Sequence, residues 1–548
     1  MFQDLGDQAI SVQSIRRQKC VAGNLFSPGC RTLSRCAARR MLPLGESDGR
    51  SMAEFDLAII GGGINGVGIA RDAAGRGIKV LLVEQNDLAS GTSSASTKLI
   101  HGGLRYLAQG ALRLVREGLA EREVLMRIAP NLVRPMRFVL PADAADRPIW
   151  MVRAGLMLYD WIGGRRTLPG RRTVAFADDP VGAPLKRHFS YGFEYSDCTV
   201  DDARLVVVNA IDAAARGATI RTRTRCLNAE RSAEWTLTLE TRGRRDSATA
   251  RVLVNAAGPW LANVAESVLR LQQALPLRLV KGSHIVVRRL FAHGHAYILP
   301  TPDGRIVFAR PFGDGFTLIG TTDEDFSGDP GAAAVAPREI EYLCRTVNGY
   351  FRERIAPADV VWSFAGVRAL YDDGAGSAKD TTRDYVLTLN QDVGRGPLLT
   401  VYGGKITTFR RLAEAVLDRL APFFPPGRPW TAGAPLPGGD FAPAGYETLV
   451  ADLRRRFRFL AERHARRLVA AYGTRARLVL DGATRLDDLG PRLGPDLTGA
   501  EIRYMMRHEW AQTAEDVLWR RSKLGLILDK DGRAAVERFV TGAVGERK

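Results

Sequence analysis

The alternation of apolar and polar positions along the chain predicts an α/β fold that begins near residue 55. Residues 55–60 (FDLAII) form a short apolar run of the buried-strand type, after which a glycine-rich turn leads into a helical pattern through Ala74 and a second apolar run at 78–83. Further strands are predicted at 218–225, 251–255, 284–287 and 305–309. Strands that alternate with helices in this way indicate sheets covered by helices.

The two ends of the chain differ from this central part. Residues 1–51 lack a periodic apolar pattern. We expect them to be either a disordered extension or a segment that was assigned to the protein because an upstream start codon was used in place of the true one. An amphipathic targeting sequence is the alternative, and the acidic Asp4 and Asp7 disfavour it. At the other end, a Pro/Gly-rich stretch at 423–439 precedes segments that are helical throughout.

The glycine turn carries the first recognisable motif. Gly61, Gly63 and Gly66 form G-x-G-x-x-G directly between a strand and a helix, and Glu84 ends the next strand. The glycines allow the tight turn, the approach of a pyrophosphate and close helix packing, while a carboxylate at this distance accepts hydrogen bonds from ribose hydroxyls. The motif predicts a Rossmann-like dinucleotide site, and Glu84 disfavours NADP. It leaves NAD and FAD open.

Charge and cysteine content narrow the classes of partner. The net charge is +18 from 78 basic and 60 acidic residues, and residues 1–50 hold only eight of the former and four of the latter. The basic excess favours an anionic partner, which a phosphorylated substrate, a membrane surface or a nucleic acid would each provide. The six scattered cysteines predict neither disulfides nor a metal site, and no apolar run is long enough to span a bilayer.

Several long blocks resemble the FAD-dependent glycerol-3-phosphate dehydrogenase family. They are IIGGGINGVGIARDAAGRG, TSSASTKLIHGGLRYL, FEYSDCTVDDARLV, VNAAGPW, LVKGSHIVV, IGTTDEDFSGDP, GGKITTFRRLAE and HEWAQTAEDVLWRRSKLGL. The resemblance runs from about residue 52 to the C-terminus. It implies an α/β chain in which a Rossmann-like FAD-binding domain is interleaved with a substrate domain of antiparallel or mixed sheet, followed by an all-α domain.

The Pro/Gly-rich stretch and the family resemblance together predict the domain organisation. The interleaved FAD-binding and substrate domains are expected over 52–430, with the substrate part at roughly 130–195 and 276–370, and the helical domain over 431–548. The resemblance also implies oxidation of sn-glycerol 3-phosphate to dihydroxyacetone phosphate, with electrons passed to membrane quinone. We expect a cytoplasmic protein at the inner face of the cell membrane, with no nucleic-acid partner, and a homodimer is compatible with the sequence.

Site residues follow from the matching blocks. Phosphate is best held by guanidinium and ammonium groups, and the substrate-binding candidates are Arg105, Tyr106, Arg368, Arg383 and Lys405. The cofactor-binding candidates are Gly61, Gly63, Asn65, Gly66, Glu84, Thr92, Ser93, Ser94, Ser96, Lys98, Leu99, Ala257, Gly258, Gly404, Lys405 and Thr407. A helix after GGKITT would direct its positive end toward the cofactor. No metal site is expected.

Proton removal from the substrate hydroxyl needs a base near neutral pH. His284 is the preferred candidate because a neutral imidazole titrates in that range. A core histidine on a strand is the alternative interpretation, and Arg368 is the rival catalytic group because it would stabilise a developing alkoxide. Cys198 is interpreted as a buried small residue, since no partner cysteine lies nearby.

Two helical segments have two interpretations each. The Arg-rich stretch 453–471 suits a solvated face over a helical core or a membrane-surface helix, and we favour the former. The apolar stretch 149–162 (IWMVRAGLMLYDWI) suits packing beneath the substrate domain, which we favour, or a quinone-facing surface.

Competing functions are an oxidase of the same substrate that uses O2, an amine or amino-acid oxidase of the same flavoprotein class, and a nucleic-acid binder. The basic candidates disfavour the second, and the third lacks an aromatic and basic module.

Overall fold

The computed structural model describes residues 53–104, 107, 110–142, 149–163, 167–273, 275–374 and 384–545. The extension predicted at 1–51 therefore lies outside the described residues. Two sheets, numbered here with strands β1–β18 in chain order, and a C-terminal group of helices make up the remainder.

The first sheet is the dinucleotide-binding sheet. Its main path runs β17–β18–β10–β1–β2–β7, with β8 and β9 added beside β10, and the pairs from β18 to β7 are parallel. Its strands are β1 Phe55–Ile60, β2 Val80–Val83, β7 Thr219–Arg221, β8 Thr224–Arg231, β9 Trp235–Thr241, β10 Arg244–Asn255, β17 Val386–Asn390 and β18 Leu398–Tyr402. Parallel strands place all of their carboxyl ends at one edge, where ligands bind in such sheets.

The second sheet is mostly antiparallel and follows the order β15–β11–β14–β13–β12–β4–β6–β3, with β16 beside β11 and β5 beside β6. Its strands are β3 Leu99–Ile100, β4 Val133–Ala142, β5 Arg172–Ala175, β6 Tyr191–Val200, β11 Leu277–Arg288, β12 Ala296–Pro300, β13 Ile306–Phe312, β14 Phe316–Gly320, β15 Glu324–Asp325 and β16 Val360–Tyr371. The chain enters this sheet twice between strands of the first, so the predicted interleaved α/β architecture is confirmed.

The longer helices cover these sheets and form the C-terminal group. They are α1 Ile64–Gly75, α2 Leu112–Ile128, α3 Ile149–Ile162, α4 Asp202–Ala215, α5 Pro337–Tyr350, α6 Phe409–Arg419, α7 Tyr446–Arg456, α8 Glu462–Tyr472, α9 Gly499–His508 and α10 Lys530–Gly545. α1, α4 and α6 pack together over the first sheet, and α5 packs on the second. No helix in the described part of the chain is both long and apolar enough to cross a bilayer.

The C-terminal helices have their own hydrophobic core, which confirms the predicted helical domain. The buried residues of this core lie between Val450 and Val540, and the partly buried residues packed against them lie between Tyr446 and Val544. The prediction of a single helix over 453–471 is wrong. The chain leaves α7 after Arg456, and α8 begins at Glu462. Phe457 and Leu460 lie in the break between the two helices and are buried in the C-terminal core. The free energy gained by burying these two side chains therefore exceeds what a continuous helix would gain.

Buried ion pairs join the C-terminal helices to the first sheet. Arg521 binds the Asp87 carboxylate through both terminal nitrogens, and Arg204 of α4 donates to Glu509 at 2.5 Å. All four side chains are almost completely buried. Because each buried charge has its partner on the other side, separation of the two parts would leave unpaired charges in an apolar setting.

Candidate active site

A cavity of about 460 Å³ lies where the two sheets meet. One wall is formed by the loops that follow the carboxyl ends of β1, β2, β10 and β18, and the other by side chains of the second sheet. Its size falls within the range of small-molecule and cofactor sites. The first wall includes Gly61, Gly63, Asn65, Glu84, Ala257, Gly258, Gly404, Lys405 and Thr407, and the second includes Tyr195, Ile298, Ile306, Phe308 and Arg368.

The glycine turn after β1 has no space for side chains. A Cβ on Gly66 would lie 1.9 Å from the carbonyl oxygen of Gly61, and a Cβ on Gly61 would lie 2.5 Å from the carbonyl oxygen of Ala256. Gly61 has a φ of +119°, a conformation that favours glycine. Gly63 precedes the first turn of α1, so the backbone N–H groups at the start of that helix lie at the cavity. Gly66 supports this turn from beneath and is not part of the cavity wall.

Glu84 holds the glycine turn at the end of β2. Its Oε2 accepts a hydrogen bond from the Gly62 N–H at 2.7 Å, and its Oε1 accepts one from the Asn86 N–H at 2.8 Å. Burial raises the pKa of the Glu84 carboxyl, and these backbone hydrogen bonds oppose the rise. An ionised carboxylate has about four lone-pair sites, so Glu84 can still accept hydrogen bonds from a ribose.

The hydroxyl-rich segment is divided between the cavity and the protein interior. Thr92, Ser93, Ser96 and Leu99 belong to the cavity lining, and the Ser93 hydroxyl accepts the Ile64 N–H at 2.9 Å. Ser94 and Lys98 are not in the lining. The Lys98 ammonium instead lies 2.8 Å from the carboxylate of Asp202, and both side chains are buried.

The structure therefore gives Lys98 different surroundings from those expected of a cofactor ligand. Its Nζ also donates to the Ser94 carbonyl at 2.8 Å, so it fastens the two ends of the segment 94–98. A buried ammonium requires a charged partner, and Asp202 meets this requirement away from the cavity.

The loop after β18 approaches the glycine turn through Asn65. The Asn65 amide nitrogen donates to the Gly403 carbonyl at 2.9 Å, whereas Asn65 Oδ1 is buried and has no hydrogen-bond partner among the described residues. Gly404, with a φ of +98°, lies so close that a Cβ there would be 3.1 Å from the Asn65 amide nitrogen. The expected helix begins directly after GGKITT, because residues 406–408 form a turn and α6 starts at Phe409.

Arg368 is the arginine candidate that the described structure brings to the cavity. Its Nη1 donates to the Asp323 carboxylate at 2.6 Å and its Nη2 lies 3.5 Å from the Thr321 hydroxyl. A Cβ on Gly282 would lie 2.6 Å from the same guanidinium, which therefore rests against this glycine. Lys405 also lines the cavity. Arg105, Tyr106 and Arg383 lie outside the described residues.

His284 does not line the cavity. It is buried, its ring stacks on Phe364 at a centroid distance of 4.9 Å, and its Nε2 is 3.0 Å from the hydroxyl of Thr97, which does line the cavity. Burial, with further contributions from Arg368 and Lys98, lowers the pKa of His284 well below its ordinary value. His284 thus has the surroundings of the core histidine that was the alternative interpretation, with one hydroxyl between it and the cavity.

His101 lies in the cavity wall, and sequence reasoning missed it. Burial, followed by the charge of Lys405, lowers the pKa of His101 to about 4, so its imidazole is neutral near pH 7. Its backbone N–H lies 3.4 Å from the Thr407 hydroxyl. His101 belongs to the block TSSASTKLIHGGLRYL, and a histidine followed by two glycines in a cofactor-contacting segment was the feature that could have identified it.

These features define the class of protein. A dinucleotide cradle at the edge of a parallel sheet opens onto a cavity that also contains a guanidinium, an ammonium and a neutral imidazole. This arrangement is that of a dinucleotide-dependent oxidoreductase with an anionic or hydroxylated substrate.

Comparison with known proteins identifies the family. Residues 56–410 match the family described as FAD dependent oxidoreductase, and residues 430–546 match the C-terminal domain of alpha-glycerophosphate oxidase. Glycerol-3-phosphate dehydrogenase of Pseudomonas aeruginosa is 52% identical over 489 residues, which are 89% of this chain and 95% of that protein. D-erythritol 1-phosphate dehydrogenase of Brucella abortus is 50% identical over 486 residues, which are 88% and 96% of the two chains.

A solved structure extends the similarity to the fold. The glycerol-3-phosphate dehydrogenase of Bacillus halodurans, in a complex with FAD, matches with a TM-score of 0.69 at 25% identity and covers 90% of this chain and 95% of that chain. The chain belongs to the family of FAD-dependent glycerol-3-phosphate dehydrogenases. FAD is therefore the cofactor, and the glycine cradle and the unpaired Asn65 Oδ1 fit a ligand that approaches the backbone closely and offers hydrogen-bond donors.

Proposed function

We propose that the protein oxidises sn-glycerol 3-phosphate to dihydroxyacetone phosphate and passes the electrons to membrane quinone. The observation that carries this proposal is the placement of Arg368 and Lys405 in one cavity with His101. A guanidinium and an ammonium together suit a phosphate monoester, and a neutral imidazole suits the removal of a hydroxyl proton. The Pseudomonas aeruginosa relative is named glycerol-3-phosphate dehydrogenase, which supports the same substrate.

The cavity residues divide the work of the reaction. FAD, when bound, supplies the acceptor for the hydride from C2. Arg368 and Lys405 hold the phosphate or the oxygen on which negative charge develops. Arg105, Tyr106 and Arg383 are the further substrate-binding candidates from the sequence. The hydroxyl proton passes to an imidazole nitrogen as the C2–O bond becomes a carbonyl. The C2 hydride and the hydroxyl proton thereby leave the alcohol to two different acceptors, the cofactor and the imidazole.

We assign the role of proton acceptor to His101 and a supporting role to His284. His101 is in the cavity wall, whereas His284 reaches it only through the Thr97 hydroxyl. Anaerobic stopped-flow measurement of flavin reduction separates the two assignments. His101→Ala is expected to slow reduction by the 100-fold or more that general-base catalysis commonly provides, and His284→Ala is expected to slow it less. The opposite order would return the role to His284.

The decisive experiment for the substrate is an anaerobic titration with glycerol 3-phosphate while the flavin absorbance is followed. Because one alcohol supplies the two electrons that one flavin accepts, bleaching is expected in proportion to the substrate added until all of the flavin is reduced, and its absence would overturn the proposal. A parallel titration with D-erythritol 1-phosphate tests the second candidate, which the 50% identical Brucella abortus relative favours. Both substrates present a phosphate and a secondary alcohol, so the ratio of their bleaching rates decides between them.

The electron acceptor is tested on the bleached enzyme. We expect a quinone analogue to restore the oxidised flavin spectrum much faster than air does. Rapid reoxidation by air with stoichiometric peroxide would instead favour the oxidase that uses O2, and bleaching by an amine or amino acid would favour the amine or amino-acid oxidase.

We further propose that α3 lies on the membrane surface. One side of this helix packs on the second sheet through Leu156 and Tyr159, whereas Trp150 is 69% exposed and Trp161 is 76% exposed. Met151, Met157 and Leu158 extend this outer apolar face. Tryptophan favours the membrane interface, and the net positive charge of the chain favours anionic lipids.

Sedimentation with phosphatidylglycerol vesicles tests the membrane surface. The double variant Trp150→Ser and Trp161→Ser is expected to lose most vesicle binding. The control is Leu478→Ser, which removes an exposed apolar residue from the C-terminal helices and is expected to bind as the wild type does. Equal binding by all three proteins would exclude α3 as the contact. The proposed location at the inner face of the cell membrane requires vesicle binding, so the absence of binding by the wild type would contradict it.

A further inference from the structure

A buried chain of hydrogen bonds connects α3 with the residue that follows His101. The Gly102 N–H donates to the Tyr159 hydroxyl oxygen at 2.9 Å, and the Tyr159 O–H donates to Asp197 Oδ2 at 2.8 Å. Tyr159 and Asp197 are each 1% exposed, so water does not substitute for these contacts. The Tyr159 hydroxyl thus satisfies a backbone donor directly beside a cavity-lining histidine.

Asp197 is itself held from the opposite side. Arg122 of α2 donates to Asp197 Oδ1 at 2.8 Å and to the Ser196 carbonyl at 3.0 Å. Burial raises the pKa of Asp197 to about 6, although Arg122 and Tyr159 oppose the rise. The carboxylate therefore stays ionised at neutral pH and fixes the direction of the Tyr159 O–H bond.

The peptide between His101 and Gly102 has no free space around it. A Cβ on Gly102 would lie 2.6 Å from Leu119 Cγ and 2.8 Å from the Tyr159 hydroxyl oxygen. On the α2 side, a Cβ on Gly118 would lie 3.1 Å from Gly102 Cα and 3.3 Å from the His101 carbonyl oxygen. Packing this tight transmits small displacements, so a shift of Tyr159 displaces the backbone of His101.

We infer that Tyr159 is a positioning residue, which holds the His101 imidazole in the cavity through its hydrogen bond to Gly102. This inference rests on the proposed function of His101. Without the hydroxyl, the Gly102 N–H is buried and unpaired, and the segment must move to find another acceptor. Because proton transfer requires hydrogen-bond distance between base and substrate, the step most affected is the chemical one.

The test uses Tyr159→Phe, which removes the hydroxyl and keeps the ring. The matched control is Tyr472→Phe in α8, since the Tyr472 O–H donates to Glu501 at 2.8 Å and Glu501 pairs with Arg467. None of these three residues lines the cavity. Both variants lose a buried tyrosine–carboxylate hydrogen bond from a tyrosine–carboxylate–arginine group. The two variants should therefore lose similar amounts of thermal stability, and a difference in the rate of flavin reduction between them would not be explained by stability.

The readout is anaerobic flavin reduction by glycerol 3-phosphate in the holoenzyme. For Tyr159→Phe we expect the limiting rate of reduction to fall at least tenfold, with flavin content and the substrate dissociation constant within twofold of the wild type. Tyr472→Phe should reduce at the wild-type rate. A wild-type rate in Tyr159→Phe, or an equal loss in both variants, would overturn the inference.

A second variant serves if Tyr159→Phe does not fold. Gly118→Ala places its methyl group against Gly102 and His101 from the α2 side, and alanine is the better helix former. It is expected to fold with full flavin content and to slow reduction severalfold, and an unchanged rate would contradict the inference. Failure of the proposed function has a different signature, because glycerol 3-phosphate would then not bleach the wild-type flavin at all.

Discussion

Replacing Gly282 by alanine tests the role of Arg368 without altering the arginine itself. Gly282 lies in β11, opposite Gly366 of β16, and the Arg368 guanidinium rests against it. An added Cβ would lie 2.6 Å from one terminal nitrogen of Arg368, 2.8 Å from the other and 2.7 Å from the Thr321 hydroxyl. All three atoms are at the ends of side chains, so the guanidinium can move away while the backbone of the sheet is retained.

The expected loss follows from the bonds that the displaced guanidinium would no longer make. A hydrogen bond to a charged group contributes about 1.5–3 kcal/mol, and 1.36 kcal/mol corresponds to a tenfold change in rate. One lost contact from Arg368 to the substrate should therefore lower kcat/KM by about 10- to 150-fold. Since Gly282 does not line the cofactor cradle, flavin content should not change.

The assay is anaerobic stopped-flow bleaching at increasing concentrations of glycerol 3-phosphate. The control is Gly349→Ala in α5, an exposed glycine whose added Cβ would have no neighbour within 4 Å. Gly282→Ala with wild-type values of both the dissociation constant and the limiting rate would refute the placement of substrate against Arg368. A loss that affects only flavin content would refute it as well, because the change would then act on the cradle.

Three further predictions concern the cradle, the base and the C-terminal helices. Gly66→Ala should abolish flavin binding, because its Cβ would meet the Gly61 carbonyl oxygen at 1.9 Å, and the purified protein would be colourless. The pKa of His101 is lowered to about 4, so the neutral base persists on acidification and kcat/KM should fall near pH 4; a midpoint near 6.5 would contradict this. Arg204→Ala leaves Glu509 buried and unpaired, should destabilise the protein by about 3–5 kcal/mol, and is checked by calorimetry.

The local pattern along the chain was sufficient for the first two strands of the first sheet. The predicted strand at 55–60 is confirmed, and the strand predicted at 78–83 is present as Val80–Val83. The strand predicted at 218–225 is divided, because Arg223 adopts a φ of +53° between Thr219–Arg221 and Thr224–Arg231. Such a break depends on the two different neighbours that the halves have in the sheet, and a single sequence does not contain this information.

The same limit applies to the surface helices. The segment 149–162 was interpreted as packed beneath the substrate domain, yet only one side of α3 is packed and both tryptophans are exposed. The Arg-rich segment 453–471 has the solvated basic face that was favoured, since its apolar residues Leu453, Leu468 and Val469 lie in the C-terminal core. Composition alone does not distinguish an apolar face that meets a neighbour from one that meets solvent.

The sequence by itself determined the glycine turn, the acidic strand end and the family, because these depend on residues that are close together or on long matching blocks. Only the tertiary structure decided which charged and polar side chains share the cavity. It directs Lys98 to Asp202, brings Arg368 onto Gly282 and Asp323, and places His101 rather than His284 in the wall. Each of these outcomes depends on a partner that is distant in sequence, and a buried charge or imidazole takes the position in which that partner satisfies it.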